Sequence, residues 1–363
     1  MGRLTAVALA KRGASVDLFE QGAPDAAQAA ARVAAAMLAP LAESAITEAN
    51  VVRMGVHSLG RWQELINELS SPVYFQQEGT LIVWHQQDSS DAERFTVHLE
   101  RNSRNNDALP TPQRLDKTLL QEIEPAVSDR FQQGLYLPHE GQLDNRQLLD
   151  ALLLELDLLG VQCHWHQIMN IAQLHSSEQY DGVIDCRGLG AKEQWDELGV
   201  AENPIRGVRG EVIRLYAPEV KLRRPTRLIH PRYPIYIAPK ENDVYVVGAT
   251  EIESEDFSEM SVRSALELLS AVYTVHSGFA EARILEMATQ CRPTLKDNLP
   301  QIRLSQEKGL MQINGLYRHG FMISPAILDC ALELLEHGES NTAQNLGVSV
   351  VHDARAEELA SCE

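Results

Sequence analysis

Three groups of residues have the types and spacing that chemistry needs. The first is Gly2, Gly13 and Glu20, set around an amphipathic stretch, Arg3 to Arg12, and a short apolar stretch, Ala14 to Glu20. Helix, glycine, buried strand and terminal acid make the second half of a βαβ nucleotide-binding unit, in which the acid takes a ribose hydroxyl. Gly2 falls where the last glycine of Gly-x-Gly-x-x-Gly belongs, so a first strand and the leading glycines are expected ahead of Met1. The second group is Gln290-Cys-Arg-Pro-Thr-Leu-Lys-Asp297, an arginine beside a proline ahead of a turn. The third is Tyr317-Arg-His-Gly320, where a following helix would aim free N–H groups and a positive dipole at whatever lies above.

Each group also has a plainer reading. A helix followed by a strand is an ordinary αβ unit, Arg292 suits a structural ion pair, and Arg318 and His319 suit a surface loop. His164-Trp-His166 resembles a metal pair, but two histidines on one strand face fall short of the four ligands of a structural zinc. No Gly-x-Ser-x-Gly, His-Glu-x-x-His or Walker loop occurs, which removes the commonest hydrolase, metalloprotease and P-loop readings.

The elements that must position these groups alternate in type. Helices are expected over 3–12, 51–69, 89–101, 146–159 and 260–275, and strands over 14–20, 78–84, 161–165, 182–186, 211–216, 235–238, 244–248 and 311–315. Asp144 or Asn145 caps the fourth helix and Gly160 ends it. The strand 182–186 runs into Arg187-Gly-Leu-Gly190, where Gly188 lets a backbone approach a ligand. Residues 107–114 read as a loop. Pro325 is expected near the start of a last helix that runs to about His337 and stops at Gly338. Residues 353–363 read as an acidic, frayed helical tail. The pattern predicts an α/β (α+β overall) protein, a doubly wound Rossmann-like domain interleaved with a mainly antiparallel domain.

Composition narrows the class. The 363 residues are 44% hydrophobic, with five scattered cysteines and a formal net charge of −19. Mean hydropathy is −0.23. Reduced thiols in a cytoplasmic protein fit the cysteines better than a disulfide framework. The charge argues against a nucleic-acid partner, and Lys221-Leu-Arg-Arg224 is too short to reverse that. No apolar run is long enough to span a bilayer and no signal peptide is evident, so no membrane role is expected.

An ordered set of motifs carries a family resemblance. It comprises the half-unit ending at Glu20, Ala34-Ala-Ala-Met-Leu-Ala-Pro40, Ile235-Tyr-Ile-Ala-Pro239, Val246-Val-Gly-Ala-Thr250, Cys291-Arg-Pro293 and Tyr317-Arg-His-Gly320. Together they resemble the flavin-dependent D-amino-acid oxidase/glycine oxidase family, down to about residue 345. Gly248 to Ser254 and Ala288 to Thr294 are similar to its proteobacterial branch serving thiamine biosynthesis.

The resemblance implies FAD as cofactor, with no metal. Met1, Gly2, Glu20, Gln21, Ile168 and Gly188 would hold its nucleotide part. Ala35, Ala36 and Met37 would lie along the flavin, and Leu316, Tyr317, His319, Gly320, Phe321 and Met322 around its pyrimidine edge. Tyr236, Arg292 and Arg318 would form the catalytic group that binds substrate, Arg292 taking the carboxylate. It further implies oxidative deamination of glycine by O2, with peroxide released and the imine hydrolysing to glyoxylate or serving the thiazole of thiamine. Thiazole synthase is then an expected partner, and a homo-oligomer (a tetramer in the family) the expected state. The implied FAD-binding domain spans 1–52, 142–208 and 287–345, the substrate domain 53–141 and 209–286, and the tail 346–363. The motifs depart from the family at Ala31, Arg32 and Ala36, where Ser/Thr and a glycine are usual. Three alternatives stay open: another amine or D-amino-acid oxidase or dehydrogenase of the same fold, the flavin domain of a tRNA-modifying enzyme, and an inactive fragment lacking its first strand.

Overall fold

The computed structural model describes residues 1–176, 179–197, 203–230, 234–305 and 309–352. Its first elements form for local reasons. The helix Gly2–Lys11 ends where Gly13, at φ 89°, turns the chain back and the Ala14 N–H returns to the Leu9 carbonyl at 3.1 Å. Strand β1 (Asp17–Glu20) then pairs in parallel with β8 (Gln162–Trp165), Leu18 opposite Cys163. The intervening helix Asn145–Leu158 is capped by Asp144, whose Oδ1 accepts from the N–H groups of Arg146 and Gln147 at 2.8 and 3.0 Å.

Three other sheets complete the architecture. Strands β2 (Met37–Leu38), β7 (Gly141–Leu143) and β3 (Phe75–Gln76) form a small antiparallel one. A four-stranded sheet has the order β17 (Ser349–His352), β15 (Gln301–Leu304), β16 (Leu310–Asn314), β9 (Val183–Asp185), with its outer pairs parallel. The largest sheet runs β14 (Arg283–Leu295), β10 (Ile205–Tyr216), β13 (Val244–Gly248), β12 (Ile235–Pro239), β11 (Thr226–Ile229), β4 (Thr80–Trp84), β6 (Gly134–Leu137), β5 (Gln113–Leu115). All its pairs are antiparallel except β11 with β4. Alternate residues Ile213, Leu215, Ile235, Ile237, Tyr245 and Val247 bury one face under Leu268, Val272 and Val275 of the helix Val262–Val275.

Parallel βα units therefore stand beside a large antiparallel sheet, as the patterning predicts. Strands β10 and β14 run unbroken through 208/209 and 286/287, so those expected boundaries fall inside strands. Of the expected tail, Ser349–His352 forms β17 beside β15, and the proposed helix over 353–363 lies outside the described residues. Residues 113 and 114, read as loop, begin the edge strand β5.

The last long helix departs most from expectation. It spans Gly320–His337 and carries Pro325 in its interior rather than at its start. Proline has no N–H, so the carbonyl of Phe321, four residues earlier, loses its helical partner. Trp62, on the helix Ala49–Asn67, supplies the replacement: its indole N–H donates to that carbonyl at 2.7 Å. Ser58, one turn away, accepts from the Ala326 N–H at 3.2 Å. The proline break is thus mended from a neighbouring helix, which anchors the first turn of Gly320–His337 at its observed place. Trp62→Phe should cost about 2–3 kcal/mol in urea unfolding, because the carbonyl is left buried and unpaired. In a Pro325→Ala background, where the backbone N–H returns, the cost should be smaller by at least about 1 kcal/mol.

Candidate active site

The eight-stranded sheet brings distant residues to one face. Tyr236 on β12 lies opposite Arg227 on β11 and Gly248 on β13, and Val212 on β10 also faces Gly248. Arg292 comes from the edge strand β14, opposite Val208. Glycine makes room for both large groups. A Cβ on Gly248 would lie 2.6 Å from the Tyr236 hydroxyl oxygen, and one on Gly210 would overlap the Arg292 guanidinium. Arg292 therefore lies flat on β10, its Nη2 donating to the Thr250 carbonyl at 3.1 Å.

Charge balance distinguishes the three arginines. Glu43, largely buried at the end of the short helix Pro40–Glu43, accepts from Arg227 at 2.8 Å and from Arg318 at 2.9 Å. Burial opposes its charge, but Arg227, Arg318 and His319 hold its carboxyl down at about 2. Arg318 also donates to Glu251 at 2.9 Å, and Glu251 accepts from the Tyr317 hydroxyl at 2.7 Å. Burial works against the Arg318 charge, yet these two carboxylates raise its pKa above the ordinary value. Two carboxylates thus answer two guanidiniums. Arg292 has only backbone carbonyl partners among the described residues. Behind it, Arg209 and Glu211 neutralise each other at 2.7 Å.

The remaining titratable groups are pushed toward their neutral forms. Burial raises the Tyr236 phenol, which stays a hydrogen-bond donor. Burial also lowers His319 to about 4 although Glu43 is 3.7 Å from its Nδ1, so the imidazole is neutral at pH 7. Next to Glu43, the buried Glu140 is raised to about 7 by desolvation, with its Oε1 on the Ala42 N–H at 2.7 Å.

The expected cofactor residues form two groups. At one end, Glu20 and Gln21 run beside 166–168, since the Gln167 N–H donates to the Glu20 carbonyl at 3.0 Å. The Glu20 carboxylate accepts from the Gly22 N–H at 2.9 Å, and Ile168 is 86% exposed beside it. Met1 and Gly2 open the first helix, where a Cβ on Gly2 would stand 3.8 Å from Cys186 at the end of β9. Gly188, at φ 58°, packs on Pro293, and its carbonyl accepts from Asn314 at 2.9 Å.

At the other end, the segment Ala30 to Met37 is satisfied from behind. Asn145 donates to the Ala31 and Arg32 carbonyls at 2.8 Å, and the Leu143 N–H to that of Ala36 at 3.1 Å. Lys240 donates to the Ala35 carbonyl, Gln142 Oε1 and the Leu143 carbonyl at 2.9, 3.0 and 2.7 Å. Burial pushes Lys240 down to about 7, while three acceptors call for the three N–H groups of the ammonium form. Ala36 takes φ 53°, a left-handed conformation that accounts for glycine being usual there. Ala35 and Met37 pack with Tyr236, Val246 and Ala249 into a small, mostly buried apolar strip.

Leu316, Tyr317 and His319 lead into Gly320–His337, whose first turn has no side-chain cap and no acid. Phe321 and Met322 send their side chains into the core, so only their N–H groups can serve a ligand. An apolar strip and an uncapped helix N-terminus suit a planar, electron-accepting ring with a polar edge, as in a flavin. Glu43, Arg227, Glu251, Glu140 and Lys240 were not legible as site residues. Only Glu43 had a signal, as the single acid in the apolar stretch from Ala34 to Ile46.

Comparison with known proteins gives the family. Residues 1–332 match the profile of the DAO family, FAD dependent oxidoreductase. The chain belongs to that family. It is an FAD-dependent oxidoreductase. It is 35% identical over 327 residues, 90% of each chain, to a Rhizobium etli protein provisionally named thiamine biosynthesis oxidoreductase ThiO. It is 24% identical to the bifunctional protein ThiO/ThiG of Trichormus variabilis, matching 90% of this chain and 49% of that one, so it spans about half of that relative. The fold is similar to that of glycine oxidase from Bacillus cereus, with a TM-score of 0.78 at 20% identity over 93% of this chain and 95% of that one. Iminodiacetate oxidase from Chelativorans has the same TM-score at 19% identity, over 97% and 96%. Among the described residues no group of acids, histidines and cysteines could hold a metal ion, and no helix is long and apolar enough to cross a membrane.

Two predictions follow the geometry. Gly210→Ala should displace the flexible Arg292 end without unfolding the sheet: Tm should change by less than about 3 °C while acetate affinity falls roughly tenfold in calorimetry. Glu140 favours the protonated form when folded, so its contribution is full below an unfolded pKa near 4.5 and is lost as pH rises through about 7. Glu140→Gln should therefore gain stability relative to the parent between pH 5 and 8, by up to about 3 kcal/mol in denaturant titrations.

Proposed function

We propose that the protein oxidises glycine at the Tyr236–Arg292 face, in the thiamine branch of its family. The observation that carries this reading is Arg292, the one guanidinium of the site without a carboxylate partner among the described residues. A small amino acid supplies the missing anion. Its carboxylate can take two parallel N–H bonds from Arg292, and the protonated Tyr236 phenol can donate a third. Arg227 and Arg318 are neutralised by Glu43 and Glu251, so the net positive charge offered to that anion is the one on Arg292.

FAD, when bound, supplies the two-electron acceptor. Ala35, Ala36 and Met37 would lie along it, the backbone of 316–322 would face its polar edge, and Glu20, Gln21, Ile168, Gly188, Met1 and Gly2 would hold its nucleotide part. The protein's own task is orientation. Arg292 and Tyr236 fix the carboxylate end, which leaves Cα and the neutral amine directed at the apolar strip. Neutral His319 and protonated Tyr236 add no negative charge that would hold the amine as ammonium. Overall, glycine and O2 give iminoglycine and H2O2, and water converts the imine to glyoxylate and ammonia. The R. etli relative's name supports the thiamine branch, and the name ThiO/ThiG supports thiazole synthase as the consumer of the imine. The same reading includes a cytoplasmic homo-oligomer, with an FAD-binding and a substrate domain that share the long strands β10 and β14.

Purified protein with FAD should release peroxide with glycine. Turnover of sarcosine or D-alanine without glycine would replace this reading with another amine oxidase of the fold, and turnover only with an artificial acceptor would make it a dehydrogenase. Arg292→Met should raise the KM for glycine roughly 100-fold, the cost of about 3 kcal/mol of charge-assisted hydrogen bonding, with a smaller change in kcat.

A further inference from the structure

The two carboxylates on Arg318 are not equivalent. Glu43 is 13% exposed and tied to Arg227 as well, whereas Glu251 is 48% exposed and reaches the site from its open side. Glu251 follows β13 by three residues, and its two oxygens are taken by Tyr317 and Arg318. Both terminal nitrogens of Arg318 are thereby used: Nη1 on Glu251 and Nη2 on Glu43. Its Nε is buried without a partner, out of reach of any incoming anion. The charge of Arg292 also acts on Glu251, so the open guanidinium and the masked one border the same carboxylate.

We propose that Glu251 is a specificity residue: it sits on Arg318 in the place of a second substrate carboxylate and restricts the site to amino acids bearing one. The assignment rests on Arg292 as the substrate carboxylate site. A monocarboxylate needs Arg292 alone. A dicarboxylate bound there would bring its second charge against Glu251 and meet an Arg318 whose charge is already answered by two carboxylates. Repulsion plus an occupied partner is how a site rejects a larger anion that its shape would admit. Because Glu251 is half exposed and Glu43 is not, Glu251 is the one whose removal opens Arg318 while the buried pair with Glu43 stays intact.

The test uses the purified holoenzyme at pH 8 and fixed ionic strength, with dissociation constants for acetate and malonate from calorimetry. The parent should bind acetate and bind malonate no more tightly. Glu251→Gln and Glu251→Ala should each raise the ratio of the acetate to the malonate constant at least tenfold. Glu255→Gln controls for general charge, since Glu255 is a surface acid paired with Lys192 at 2.7 Å; its ratio should stay within twofold of the parent. An unchanged ratio in both Glu251 variants, or an equal rise in Glu255→Gln, overturns the role of Glu251 and leaves the Arg292 assignment standing. Acetate binding that survives Arg292→Met removes the Arg292 assignment, and the Glu251 proposal with it.

Discussion

A carboxylate inside a cluster of guanidiniums organises the site, and the rest of the structure is arranged around that one constraint. Glu43 is largely out of water, where an isolated carboxylate would take up a proton rather than remain charged. It stays ionised because Arg227 and Arg318 approach from two different parts of the chain, one from the eight-stranded sheet and one from the turn before the last long helix. Neither arginine can leave without exposing a buried charge, a loss of about 3–5 kcal/mol when one partner of such a pair is removed. The pairs therefore lock the turn 317–319 against the sheet. They also consume the charges of two arginines and leave that of the third, Arg292, available.

The second constraint is steric. A strip that accepts a flat ring must be apolar on its front, yet it is made of backbone whose carbonyls need partners. Asn145, Lys240 and the Leu143 N–H provide those partners from behind, to the carbonyls of Ala31, Arg32, Ala35 and Ala36. Opposite it, Gly210 and Gly248 keep the sheet thin where Arg292 and Tyr236 lie across it. Trp62 completes the frame by allowing a proline within the helix that follows the turn 317–319.

Much of the architecture was legible because its causes are local. Gly13 and Gly160 stop helices, Asp144 caps one, and alternating apolar residues mark the strands of the large sheet; each acts within a few residues of the element it shapes. The start of the last helix was misplaced for the opposite reason. Pro325 reads as a helix start when only its neighbours are considered, and the compensating donor, Trp62, is 263 positions away in the sequence. Arg318 was legible as a site residue, but its two carboxylates were not.

By itself, then, the sequence determined the βα units, the antiparallel strands, the family motifs and the presence of Tyr236, Arg292 and Arg318 within them, because periodicity, capping and turn chemistry are short-range. Only the tertiary structure decided which arginine is open. That depends on Glu43 meeting Arg227 and Arg318 across 184 and 275 positions of chain, and on Tyr236 standing opposite Arg227 in a sheet register. Ionic attraction reads distance in space, and nothing in the order of residues along the chain encodes it.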